Sequence, residues 1–284
     1  MNIINLMRRR PVASYFIVAF LISWGGTIAF GLGPFLSGME PDLPDLMPMV
    51  MIMLSGPLLA GISMTYLTDG RDGLRDLFAR MRKWNVGGRW YLSLLIFPAL
   101  ILAVQIPLSI WFNRGLAPIF NPIGIIAGLM AGLQEETGWM GFAYPKMRLR
   151  MSALGASIVL GLIHAVWHTA ADFFGNFNTM GEDWLPYFVG FFSFVVALRI
   201  IIAWIYENTQ SVFMTMLAHA SSTGFLGILV PTANATQIWP VFYAVYTAAL
   251  GLVAAFIIIR NRASMTEKPA TPAKLSPSWQ PGGN

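Results

Sequence analysis

The sequence contains no cysteine, which excludes disulfides, Cys-ligated metal and thiol catalysis. It is also poor in charge. Only 11% of its residues are Asp, Glu, Lys or Arg, against about 25% in an ordinary soluble domain. Histidine is scarcer still, with three in 284 residues. The apolar–polar alternation of an outer-membrane barrel is missing as well. What remains is 56% hydrophobic, with a mean hydropathy of +0.62. The apolar residues fall in runs long enough to cross a hydrocarbon core of ~30 Å.

These runs cover about 12–34, 46–67, 90–112, 120–142, 152–174, 185–206, 211–231 and 239–260. In lipid a spanning segment satisfies its backbone groups internally, so helices are the default. The expected fold is all-α, a polytopic membrane bundle of about eight transmembrane helices. Basic residues cluster in alternate loops: Arg8–Arg10; Arg71, Arg75, Arg80, Arg82, Lys83 and Arg89; Lys146, Arg148 and Arg150; Arg260, Arg262, Lys268 and Lys274. The opposite loops hold Arg114 with Glu40, Asp42, Asp45, Glu182 and Asp183. The positive-inside rule then places both termini in the cytoplasm. The net charge of +5 is therefore a topology signal and gives no reason to expect a nucleic-acid partner. The partner it implies is the bilayer.

The first run follows Arg8–Arg10 but is too long, and lacks a small-x-small site, for a cleaved signal peptide; it reads as a retained anchor. Residues 69–89 place Leu74, Leu77, Phe78 and Met81 at helical spacing among Arg and Asp, the pattern of an amphipathic cytoplasmic helix at the lipid interface. Residues 1–262 read as one membrane domain. Residues 263–284, rich in Pro, Ser and Thr, read as a disordered tail.

The ionisable residues inside apolar runs are Glu135, Glu136, His164, His168, Asp172, Arg199 and His219, which include every histidine of the chain. Each charged group in hydrocarbon costs about 2.5–3.5 kcal/mol even on a lenient insertion scale, so such residues mark cavities, partners or reaction sites. Adjacent helical residues point about 100° apart, so Glu135 and Glu136 cannot address one atom together. One faces a cavity and the other needs its own partner. His164 and His168, four apart, share a face, as metal ligands or catalytic groups would. Spacing does not separate those options, and the His-Glu-x-x-His signature is absent.

Glu135-Glu136-Thr-Gly-Trp-Met-Gly-Phe-Ala-Tyr-Pro145 resembles the first motif of the CAAX-protease and bacteriocin-processing (CPBP, or Abi) family, Glu-Glu-x-x-x-Arg. Gly161-Leu-Ile-His164-Ala-Val-Trp-His168 resembles its second motif, Phe-x-x-x-His. Trp204-Ile-Tyr206-x-x-Thr209-x-Ser211, followed by Met216-Leu-Ala-His219-Ala, resembles the approach to the third, His-x-x-x-Asn. The resemblance covers about residues 120–225. It implies an intramembrane endopeptidase of the bacterial plasma membrane acting near the cytoplasmic face. The implied substrate is a membrane-associated or lipidated protein or peptide, and some family members are linked to bacteriocin processing or immunity.

By that resemblance the catalytic set is Glu135, Glu136, His164 and His219, with His168, Thr223 and Arg199 secondary. Glu135 is the expected base for water, His164 its helper and His219 the oxyanion donor. No cofactor is expected. Zinc is the alternative, held by His164, His168, His219 and Glu135. Three positions depart from the pattern: Met140 for Arg, Thr223 for Asn and Leu160 for Phe. The missing Arg leaves Glu136 without its i,i+4 cation; Arg199 is a candidate substitute, the alternatives being a protonated Glu136 or an Arg199 that snorkels. These departures keep open a degenerate, non-proteolytic immunity or partner-binding protein. A transporter using the same polar residues is a further alternative.

Overall fold

Backbone amides with no water to bond close their hydrogen bonds along the chain, and the described residues contain helices and no strand. The computed structural model describes residues 2–40, 43–112, 117–229 and 238–267. Arg114, Asp42, Lys268 and Lys274, used above for orientation, lie outside them. The elements are α1 (Ile3–Arg9), α2 (Pro11–Leu36), α3 (Leu43–Met81), α4 (Gly88–Ser93), α5 (Ile96–Trp111) and α6 (Ile123–Gly138). A π turn, Trp139–Ala143, leads into α7 (Tyr144–Arg148). There follow α8 (Ala153–Met180), α9 (Trp184–Thr209), α10 (Val212–Leu229), α11 (Trp239–Arg260) and α12 (Arg262–Thr266).

The fold is a polytopic helical bundle. Among the described residues six stretches are long and apolar enough to cross a membrane: Pro11–Leu36, Asp45–Met81, Gly88–Trp111, Ala153–Thr209, Val212–Leu229 and Trp239–Arg260. The stretch Ala153–Thr209 is two helices, α8 and α9, packed together and joined by a single 3-10 turn, Gly181–Asp183. The apolar run expected over 120–142 corresponds to α6 and the π turn; α6 itself is 16 residues long and carries the glutamate pair.

Proline shapes several of these helices, and neighbouring side chains repair the damage. A helical proline has no N–H for the carbonyl four residues back, and its ring pushes that carbonyl aside. The run expected over 90–112 breaks at Leu94–Leu95 because Pro98 excludes the Leu94 carbonyl, which instead accepts the Ser221 hydroxyl at 2.9 Å. In α3, Pro57 frees the Met53 carbonyl, which accepts from Ser23 Oγ at 2.6 Å. Such substitution by neighbouring side chains is how spanning helices tolerate proline.

Two boundaries differ from expectation. The amphipathic helix begins after Gly70, whose φ of 67° breaks α3 and favours glycine, and it ends at Met81 rather than near 89. Its apolar face is seated on protein, since Leu77 is fully buried against Gly141 of the π turn. At the other end, α12 carries a fully buried Met265, so ordered structure continues through Thr266; the rest of the expected tail, 268–284, lies outside the described residues.

The face of α6 that carries the glutamates is set by glycines. Gly124, Gly128 and Gly132 lie against the backbone of α10 at Gly224, Ala220 and Met216, close enough that a Cβ on Gly132 would meet the Met216 carbonyl. That contact fixes the distance between the glutamates and His219, one turn from Met216. Gly132→Val is therefore expected to destabilise the protein by about 1–3 kcal/mol, read as a lowered thermal midpoint in detergent.

Candidate active site

Four helices bring six of the seven ionisable residues of the apolar runs to one point, all but Asp172. Glu135 and Glu136 come from the end of α6, His164 and His168 from α8, Arg199 from α9 and His219 from α10. All are buried except His168, which is partly so. Local sequence explains the register. Gln210 takes a left-handed conformation (φ 50°) and ends α9, while Ser211 Oγ caps α10 by accepting from the Met214 amide at 3.0 Å. The Ser211 hydroxyl also donates to the Lys83 carbonyl at 2.6 Å. The Thr-x-Ser step thus locks Arg199 and His219 relative to each other across a tight turn.

Arg199 sits at the centre. Its Nη1 lies 2.7 Å from Glu136 Oε1 and 2.9 Å from Glu136 Oε2, and its Nε donates to His164 Nδ1 at 3.0 Å. Its Nη2 is 4.0 Å from Glu135 Oε2. The pairing of Arg199 with Glu136 supplies the cation that Met140, a buried thioether, cannot.

These contacts fix the ring protons. A guanidinium only donates, so His164 Nδ1 accepts and the neutral ring carries its proton on Nε2. That N–H lies 2.7 Å from Glu135 Oε2 and 3.1 Å from His168 Nε2. Trp139 Nε1 donates to the same Glu135 oxygen at 3.3 Å. In the sequence Trp139 is one residue of a motif, with nothing to mark it as a donor. Glu135 Oε2 is therefore held twice, while Oε1 faces His219 Nε2 at 3.8 Å. His219 Nδ1 is 2.6 Å from Glu136 Oε1 and so donates to it.

Thr223, one turn beyond His219, is half-buried and makes no hydrogen bond to this cluster. Leu160 is fully buried, as a packing residue would be. Asp172 is drawn away from the cluster, accepting from Trp184 Nε1 at 2.8 Å and Tyr187 OH at 2.9 Å.

A family model described as type II CAAX prenyl endopeptidase Rce1-like matches residues 117–225, which contain every residue of this cluster. A relative, CAAX prenyl protease 2 of Methanococcus maripaludis, is 29% identical over 189 residues. That alignment covers 61% of this chain and 66% of the relative, just under two thirds of its length. The stretch that holds the cluster is thus similar to type II CAAX prenyl endopeptidases.

Within this site, Glu135, His164 and His168 offer ligand atoms within 4.8 Å of one another, near enough to hold a metal ion. The hydrogen bonding does not fit one. A metal-binding histidine donates its second ring nitrogen to a carboxylate, carbonyl or water, yet His164 Nδ1 accepts from Arg199. The His164 lone pair is thereby taken by Arg199 and turned away from Glu135 and His168, and a guanidinium stands 4.0 Å from the only carboxylate of the set. His219, expected as a further ligand, donates Nδ1–H to Glu136 as a metal-bound histidine could, but it is not among the residues whose ligand atoms come together.

Removing one partner of a buried ion pair strands the other, at about 3–5 kcal/mol. Arg199→Met is expected to destabilise the protein on that scale. Adding Glu136→Gln to it is expected to restore much of the loss, measured as a double-mutant cycle on unfolding.

Proposed function

We propose that this protein is a member of the CPBP family, an intramembrane endopeptidase that hydrolyses a peptide bond of a prenylated or otherwise membrane-anchored substrate with a glutamate-activated water. The observation that carries the reading is the asymmetry of Glu135: one oxygen held by His164 and Trp139, the other open toward His219. A base needs a fixed orientation and one free lone pair within reach of its proton.

In this reading Glu135 Oε1 takes a proton from water as the hydroxide bonds to the scissile carbonyl carbon. The carbonyl π electrons move to oxygen, and the oxyanion accepts from His219 Nε2–H. His219 donates there as an imidazolium, its Nδ1–H being committed to Glu136. Two carboxylates are then balanced by one guanidinium and one imidazolium. As the tetrahedral intermediate collapses, the C–N bond breaks and the amine leaves with the proton held by Glu135. Glu136 and Arg199 touch neither water nor substrate; they are positioning residues for His219 and His164. No metal enters a step.

The substrate class rests on the family match and on the bilayer setting. We further infer eight crossings with both termini cytoplasmic, counting α8 and α9 separately and adding α6. A single membrane domain in the plasma membrane follows, with the site opening toward the cytoplasmic half. The fully engaged Arg199 favours an active enzyme over a degenerate one, because it repairs the departure at Met140.

The test uses purified protein and a fluorogenic farnesylated peptide, with the unprenylated peptide as control. Glu135→Gln is expected to reduce cleavage by about 10²–10⁴-fold, and His219→Ala by about 10²–10³-fold. Cleavage that persists in Glu135→Gln at the wild-type rate would refute the assignment. Equal cleavage of both peptides would remove the prenyl group from the substrate definition.

A further inference from the structure

The site helix continues through a π turn only three residues after Glu136, and the cause is Pro145. An uninterrupted α-helix would pair the Gly141 carbonyl with the N–H of residue 145, which proline lacks, and would drive its ring into that carbonyl. The chain responds by widening: the Tyr144 amide reaches back five residues to the Trp139 carbonyl. Such single π turns recur at functional sites.

The displaced Gly141 carbonyl accepts from Arg80 Nη2 at 2.9 Å. Arg80 belongs to the cytoplasmic extension of α3 and is itself fixed, by Nε on Asp76 Oδ2 at 2.9 Å and by Nη1 on Tyr206 OH at 3.0 Å. Leu77, one turn earlier, is fully buried against Gly141. The same repair by Ser221 and Ser23 at Pro98 and Pro57 uses neutral hydroxyls. At the site helix it uses a charged donor from outside the stretch 117–225 that the family model matches.

We propose that Arg80 is a positioning residue for the active site. By capping the carbonyl that Pro145 frees, it sets the π turn and hence the place of Trp139, whose Nε1 holds Glu135 Oε2. The inference rests on the reading of Glu135 as the catalytic base, but its structural half stands apart from that reading.

Two readouts on the full-length protein in detergent keep the halves distinguishable. The first is a thermal-midpoint cycle over wild type, Arg80→Met, Pro145→Ala and the double variant, which needs no substrate. In Pro145→Ala, residue 145 supplies an N–H to Gly141, so Arg80→Met is expected to lower the midpoint clearly in the wild-type background and little in the Pro145→Ala background. Equal losses in both backgrounds, or failure of both Arg80→Met proteins to fold, would overturn the capping role. The second is steady-state cleavage of the farnesylated peptide. Arg80→Met is expected to lower kcat by about ten- to a hundredfold, the scale of a small misplacement of reacting groups, with KM unchanged. Arg80→Lys, which keeps a donor, is expected to recover part of kcat. An unchanged kcat in folded Arg80→Met, or a change confined to KM, would overturn the positioning role. If wild type cleaves nothing, the protease reading fails while the midpoint cycle still decides the cap.

Discussion

Two adjacent glutamates deep in an apolar bundle need a cation, and the buried guanidinium of Arg199 is the interaction on which the rest of the structure depends. It spends Nη1 on Glu136 and Nε on His164 and stands 4.0 Å from Glu135. A lysine could not do this, since a point charge lacks the planar fork that reaches several acceptors at once. The surrounding architecture serves to deliver this one group. The Gln210–Ser211 turn registers α9 against α10, the glycines of α6 bring that helix onto α10, and the α8–α9 pairing carries His164 to Arg199.

The chemistry follows from what the guanidinium imposes on its neighbours. Because Arg199 donates to His164 Nδ1, His164 can only donate toward Glu135, and that holds one carboxylate oxygen still. Because Arg199 and His219 both engage Glu136, that carboxylate is withdrawn from reaction and aims the imidazole. In the proposed mechanism one glutamate is thereby left for chemistry and the other for geometry. The same donor pattern makes the His–Glu cluster a poor cation site, although its atoms are close enough for one.

A second polar layer holds the other end of the site helix. Arg148 makes a bidentate pair with Glu207 at 2.8 and 3.1 Å, and Tyr144 OH donates to the same carboxylate at 3.0 Å. Lys146 reaches Asp69 at 2.9 Å. With Arg80 on Gly141, these contacts tie α7 and the π turn to α9 and to the extension of α3. Several basic residues that read in sequence as topology markers are therefore also structural fasteners.

Much of this was legible in the sequence, and the exceptions have a common cause. Long apolar runs announce helices, and the charges stranded within them announce a site, so Glu135, Glu136, His164 and His219 could be named from the sequence, with Arg199 as one of several answers to Glu136. What escaped depends on contacts between helices distant in sequence. Pro145 and Pro98 were visible, but not that Arg80 and Ser221 would take up the carbonyls they free. Trp139 gives no sign in sequence that it donates to Glu135, nor Thr223 that it stays out of the cluster. The most direct test of the central claim, that an internal arginine rather than a metal completes this site, is the cleavage rate of a farnesylated peptide before and after exhaustive chelation. The account predicts an unchanged rate. Loss of activity that added zinc restores would contradict it.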